Sequence, residues 1–232
     1  HSDQHGTEYS AAMASQLSAA GFEVPVYQSY PPGTLVFNTL VNTLKAAGVD
    51  AVILAGYEGA AFLKSASALG YHPKTFMCGP SMETPLLVFA PGPIGYNMTA
   101  AQVNGTMLYD GWPSSAYKTG YLKTWASLHY NRTKAAGFGW DPFPASATFY
   151  AGLQCLLEAV QKVGLNHTKI MLSLQNDNFT TIVGNTHLNR GYAMQCSLAG
   201  TIAQWQGGYM CEVIWPRGVN SSSVHFPDPH YP

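Results

Sequence analysis

Ten residues of the 232-residue sequence are obvious candidates for chemistry: four cysteines and six asparagines. Cys78, Cys155, Cys196 and Cys211 fit an oxidising compartment, where they would form disulfides; three pairings are possible and the sequence does not choose among them. Their spacings of 77, 41 and 15 match no zinc pattern, and no metal site is expected. Asn97, Asn104, Asn131, Asn166, Asn178 and Asn220 each open an Asn-x-Ser/Thr sequon. A chain with this share of Ser and Thr would carry about two by chance, so the excess points to a secreted glycoprotein with sugars as surface modifications. The catalytic signatures GxSxG, HExxH and GxxxxGK[ST] are absent. Gly137-Phe138-Gly139 is a lone pair of glycines and not a dinucleotide fingerprint. An N-terminal His1 could brace copper with His5, but a loop residue is the stronger reading of both. No catalytic residue, cofactor or enzymatic activity is expected.

Composition narrows the partners. Charged residues make up 10% of the chain, where about 25% is usual, and the net charge is -1. That leaves no basic footprint for nucleic acid. No apolar run approaches the length of a membrane span. No signal peptide stands at His1, as expected of a processed or truncated chain. The localisation expected is secreted or extracellular surface.

The elements that must position any site follow from periodicity. Thr7 to Ala20 reads as a helix stopped by Gly21, and Val24 to Ser29 as a short strand. Phe37, Leu40, Val41 and Leu44 fall at helical spacing before Gly48. Ala51 to Ala55 is a continuous apolar run, the mark of a strand buried on both faces. Glu58 to Leu69 is a helix closed by Gly70, and Thr75 to Cys78 is a strand. This alternation predicts an α/β fold, a parallel sheet with helices on both faces. Gly105 to Tyr109 could add a strand. Helices are expected near 117–135, 146–163 and 167–175, and the second shows Phe149, Leu153, Leu156, Leu157 and Val160 on a broad apolar face. A C-terminal β-hairpin is expected from Leu198 to Trp205 and from Tyr209 to Trp215, turning at Gly207-Gly208.

Four stretches carry a family resemblance: Tyr30-Pro31-Pro32-Gly33-Thr34, Leu44 to Val52, Leu69-Gly70-Tyr71-His72-Pro73-Lys74, and Gln204-Trp205-Gln206-Gly207-Gly208. In this order they resemble the branched-chain amino-acid type of periplasmic binding protein, a bilobed type I fold that also forms receptor ligand-binding regions. The resemblance implies that residues 1–115 are a second-lobe α/β domain and that 116–190 are helices belonging to the first lobe. Residues 191–216 would return as a hairpin to the second lobe, and 217–232 would be an irregular tail. The opening half of the first lobe would be missing. The face of residues 146–160 would then need cover from a missing N-terminal lobe or a separate chain, and the chain is not expected to fold alone as a stable monomer.

The same resemblance implies that the ligand lies at the strand C-termini, as is usual in open α/β sheets. Tyr57 matches an aromatic contact to a bound amino acid. Ser81 falls where amino-acid binders carry the acid that pairs with the ligand ammonium, so free amino acids are expected to bind weakly. Glu83, two residues on, could substitute but is expected to be a solvated loop carboxylate. His5 is a further candidate contact; Met82 and Trp112 could line the site or pack. The expected function is an extracellular module binding a small, amino-acid-like molecule. The alternative is a glycosylated structural building block of a surface assembly or fibre with a degenerate cleft.

Overall fold

The computed structural model describes residues 1–79, 81–91, 95–110, 120–135, 145–188, 194–196, 201–207, 211–218 and 220–228. Two compact units are present: His1–Asp110 with Ile202–Pro232, and Gly111–Thr201.

In the first unit the elements run α1 (Gln4–Ala19), α2 (Asn38–Ala46), β1 (Ala51–Leu54), α3 (Gly59–Ala68), β2 (Thr75–Cys78), α4 (Pro85–Phe89), α5 (Ala100–Val103) and β3 (Met107–Asp110). Asp3 starts α1 by accepting the Gly6 N–H at 2.7 Å, the usual use of a short acidic side chain at an orphan helix N-terminus. β1 and β2 pair in parallel with Leu54 opposite Cys78, and β2 and β3 pair in parallel with Cys78 opposite Leu108. β1 and β2 therefore finish level with each other, and β3 runs two residues further, through Tyr109 to Asp110. Phe62 of α3 stacks on Phe76 of β2 at 5.1 Å, and Phe37 meets Phe62 edge-on at 5.8 Å. These rings form the core on that side of the sheet.

The second unit contains α6 (Gly120–Ala135), α7 (Ala145–Val163), α8 (His167–Asn176), β4 (Asn178–Thr181), β5 (Gly184–Leu188) and β6 (Met194–Cys196), the last three forming an antiparallel sheet. Its core gathers Cys155, Ala159, Ile170 and Phe179. Along α7 the small residues Ala147, Ala151, Cys155 and Ala159 are fully buried, a four-residue period that marks one helix face. Phe149 is 76% exposed, and Leu153, Leu156 and Leu157 are also exposed. Of the apolar face expected on this helix, these four residues are exposed among the described residues, whereas Val160 packs against the core.

β7 (Thr201–Trp205) and β8 (Cys211–Trp215) complete the first unit's sheet, in the order β1-β2-β3-β7-β8. They are antiparallel, with Trp205 opposite Cys211, so the C-terminal hairpin is present. Trp205 is fully buried and its indole donates to the Met82 carbonyl at 3.1 Å. Beyond the hairpin, Gln204 exchanges hydrogen bonds of 2.9 Å with the backbone of His225. The fold is α/β, with a mostly parallel sheet flanked by helices. Among the described residues no helix is long and apolar enough to cross a membrane.

Two expectations fail. Val24 to Ser29 joins no sheet among the described residues; Pro25, its second residue, has no N–H to give to a ladder. Cys78, Cys155 and Cys211 are buried thiols with no disulfide between any two of them. In the strand order β8 lies three positions from β2, or about 14 Å, whereas a disulfide needs Cα atoms within about 7 Å. Cys155 is enclosed in the core of the second unit. Cys196 lies in β6, but its side chain is outside the described set, as are Trp112 and the Gly137-Phe138-Gly139 stretch.

Candidate ligand site on the first unit

Because β1 and β2 end level and β3 runs two residues further, the segments after β1 and β2 leave the sheet side by side, next to Tyr109 on β3. Gly79 leaves little room here: a Cβ on it would stand 2.8 Å from the Tyr109 hydroxyl and 3.1 Å from the Gly56 carbonyl. Gly59 plays a similar part at the start of α3. A Cβ there would come within 2.6 Å of Met82 Cγ and would also collide with Cys78 Sγ.

One carboxylate orders the first segment. Glu58 is buried and accepts hydrogen bonds from the Tyr30 hydroxyl (3.1 Å), the Gly33 N–H (2.9 Å) and the Tyr57 N–H (3.1 Å). His1 Nε2 lies 3.5 Å from the same carboxylate, and His1 Nδ1 lies 2.8 Å from Asp3. His1 and the Gly6 N–H hold the Asp3 carboxyl below its usual range. Buried charge of this kind is tolerable only when its lone pairs are filled. Glu58 thus holds the backbone at Tyr57, a residue that stays 44% exposed.

Around Tyr57 the rings are close. His1 meets it edge-on at 5.6 Å and His5 lies 6.0 Å away, tilted. His5 also stacks on Tyr9 at 6.1 Å, and Tyr9 stacks on Tyr109 at 4.9 Å. The Tyr109 hydroxyl is 3.2 Å from His5 Nε2. Burial, with Tyr9 and Glu83 nearby, pushes that hydroxyl well above its ordinary pKa.

The segment after β2 differs from expectation at one residue. Ser81 is only 5% exposed, and its hydroxyl has no hydrogen-bond partner among the described residues. Met82 is fully buried and packs as core. Glu83 is not a solvated carboxylate: it is half-buried, and burial pushes its carboxyl up to about 8. His5, Tyr57 and Glu83 therefore all reach the Tyr109 neighbourhood, and Ser81 lies in the same turn as Glu83. Sequence reasoning missed Tyr9, Tyr109 and Glu58. The first two gain their place from strand register and helix packing; Glu58 offered a signal in its position directly after Tyr57 at the end of a strand.

A family model described as periplasmic binding protein matches residues 1–209. The chain is a member of the periplasmic binding protein family. Leu/Ile/Val-binding protein homolog 7 of Brucella abortus is 26% identical over 96% of this chain and 55% of its own length. The same-named protein of Brucella suis matches to the same extent. The chain therefore spans about half the length of the curated relatives it matches. A leucine-binding protein from Thermotoga maritima superposes with a TM-score of 0.73 at 18% identity, over 92% of this chain and 58% of that one. An ABC transporter substrate-binding protein from Desulfitobacterium hafniense, solved in complex with Leu, gives a TM-score of 0.62 at 16% identity, over 91% and 57%. At these identities the two structures show the fold alone. Membership in a periplasmic binding protein family implies a periplasmic or extracellular location.

Proposed function

We propose that the first unit is the ligand-holding part of a binding protein for a small, amino-acid-like molecule, which binds at the C-terminal ends of β1, β2 and β3. His5, Tyr57, Ser81 and Glu83 are its contacts, and no step of catalysis is involved. The observation that carries this reading is Tyr57: a large aromatic left 44% exposed, its backbone N–H held by Glu58 and its ring flanked by the rings of His1 and His5. A ring fixed in that way can stack on a ligand with little further loss of freedom. The relatives named for leucine, isoleucine and valine binding support the class of ligand.

The exposed α7 face supports a covering surface around residues 146–160, in a longer form of the protein or in a separate chain. The sequons support N-linked sugar at Asn97, Asn131, Asn166, Asn178 and Asn220, whose side chains are exposed. Asn104 is the exception. It is partly buried, and its carbonyl is enclosed without a partner among the described residues, in the wall of a pocket of about 200 Å³ beside α3.

Leucine binding measured on the 232-residue chain and on Tyr57→Ala tests the site. Removing the ring is expected to weaken binding roughly tenfold or more, equivalent to about 1.4 kcal/mol, with an unchanged circular dichroism spectrum. Equal affinity in the two proteins would contradict the assignment.

A further inference from the structure

A cavity of about 200 Å³ opens in the flank of the first unit, at the opposite end of the strands from Tyr57. Residues 71–73 of its wall lie just before β2, and Asn104 and Thr106 lie just before β3, so it sits at the N-terminal ends of the parallel strands. α3 and α5 form much of the remaining wall. Backbone hydrogen bonds hold this wall in shape. The Tyr71 N–H donates to the Ala66 carbonyl at 2.9 Å, and the Gly105 N–H donates to the Trp205 carbonyl at 2.7 Å. A capping box between Thr99 and Gln102 starts α5. The C-terminal tail adds to the rim. Gln204, fully buried, grips the backbone of His225, and three residues on the Asp228 N–H donates to the Lys74 carbonyl at 2.6 Å. Asp228 lines the cavity and lies beyond residues 1–209, the stretch that the family model matches. A cavity formed in advance costs an entering ligand little reorganisation.

The chemistry of the wall narrows the ligand. The rings of Phe62 and Phe76, stacked 5.1 Å apart, form a buried floor with Ala66 and Met98. An apolar cavity of roughly 150 Å³ is enough to bind benzene, so this one accommodates a single aromatic ring with one small substituent. The wall is not wholly apolar. Asn104 stands in it, and its Oδ1 is enclosed with no hydrogen-bond partner among the described residues. Native structures leave few such groups unfilled. The two ends of an amide, one acceptor and one donor, exchange places by a half-turn about a soft side-chain torsion. A hydroxyl complements either end, because it both donates and accepts.

We propose that this cavity is a second binding site, for a small aromatic alcohol. The ring of the ligand lies on the Phe62 and Phe76 floor, and its hydroxyl hydrogen-bonds the side-chain amide of Asn104. The site stands independently of the one at the strand C-termini and shares no residue with it.

The test is amide chemical-shift titration of the 232-residue chain with phenol and with toluene, two molecules of nearly the same shape that differ in the hydroxyl. Both are expected to give saturable shifts at Phe62, Ala66, Phe76 and Thr106 and to leave Gly56 to Glu58 unmoved. Neither is expected to be displaced by leucine. Asn104→Leu keeps much the same side-chain shape and removes both polar ends of the amide. It is expected to weaken phenol roughly tenfold while toluene binds as well as before or better. Retained toluene binding also shows that the variant keeps its fold. Should Asn104→Leu not fold, Asn104→Thr takes its place: a hydroxyl in the wall is expected to keep phenol within about threefold of the parent chain, and a larger loss counts against the amide contact. No saturable shifts at the cavity with either probe, shifts at Gly56 to Glu58 in their place, or displacement by leucine would overturn the second site. Equal change for phenol and toluene in Asn104→Leu would overturn the alcohol as its ligand.

Discussion

Glu83 shows how much of a site is decided by burial and not by residue type. Its sequence context, Ser81-Met82-Glu83 in a loop after a strand, reads as a solvated carboxylate. The fold instead places it against Tyr109 and Cys78 and raises its carboxyl to about 8. Folding with a raised carboxyl pKa has a defined sign. Below about 4.5 the group is protonated in both states and its contribution is constant. Between about 4.5 and 8 the unfolded chain gives up the proton while the folded one keeps it, so stability falls as pH rises. Glu83→Gln should therefore match the parent in urea denaturation at pH 4 and exceed it at pH 8.5. The expected excess is about 2–4 kcal/mol, discounted for the solvent that reaches a half-buried group. The same stability difference at both pH values would show that Glu83 titrates as an exposed acid. Tyr57 could be singled out from its place at a strand end; His5, expected in a loop, lies instead in the first turn of α1. Tyr109 could not be singled out, because its place depends on the pairing of Cys78 with Leu108, a register that no local pattern encodes.

The secondary-structure elements divide in the same way. β1, β2, α2 and α3 were readable because apolar runs and glycine stops agree: Gly48 and Gly70 both adopt the positive φ that ends a helix. β4 to β6 were missed. Asn178-Phe179-Thr180-Thr181 and Gly184-Asn185-Thr186-His187-Leu188 are too polar for a hydrophobic period, and they are ordered by pairing with one another. α7 was placed correctly, and its large residues were expected to await cover; the small-residue stripe that it buries was not foreseen. That stripe makes a prediction opposite to intuition. Leu157→Ala, on the exposed face, should change the stability of the chain by less than about 0.5 kcal/mol. Ala151→Leu, on the fully buried face, should cost about 1–3 kcal/mol through overpacking. Chemical denaturation of both variants checks this, and a larger loss for Leu157→Ala would mean that the large residues are packed.

At the scale of the whole molecule, the described residues leave large side chains exposed on α7 of the second unit and Tyr57 exposed at a strand end of the first. The chain matches its curated relatives over about half their length, and the residues proposed to hold ligand all lie in one unit. That unit has its own five-stranded sheet and its own aromatic core, so its edge can be probed directly. The most direct measurement is amide chemical-shift mapping of the 232-residue chain during titration with leucine at pH 8. The shifts expected are concentrated at Gly56 to Glu58, at Ser81 to Glu83 and at Tyr109, and they saturate together. Shifts confined to the pocket walled by Phe62, Phe76 and Asn104, or no shifts at all, would contradict a ligand site at the strand ends.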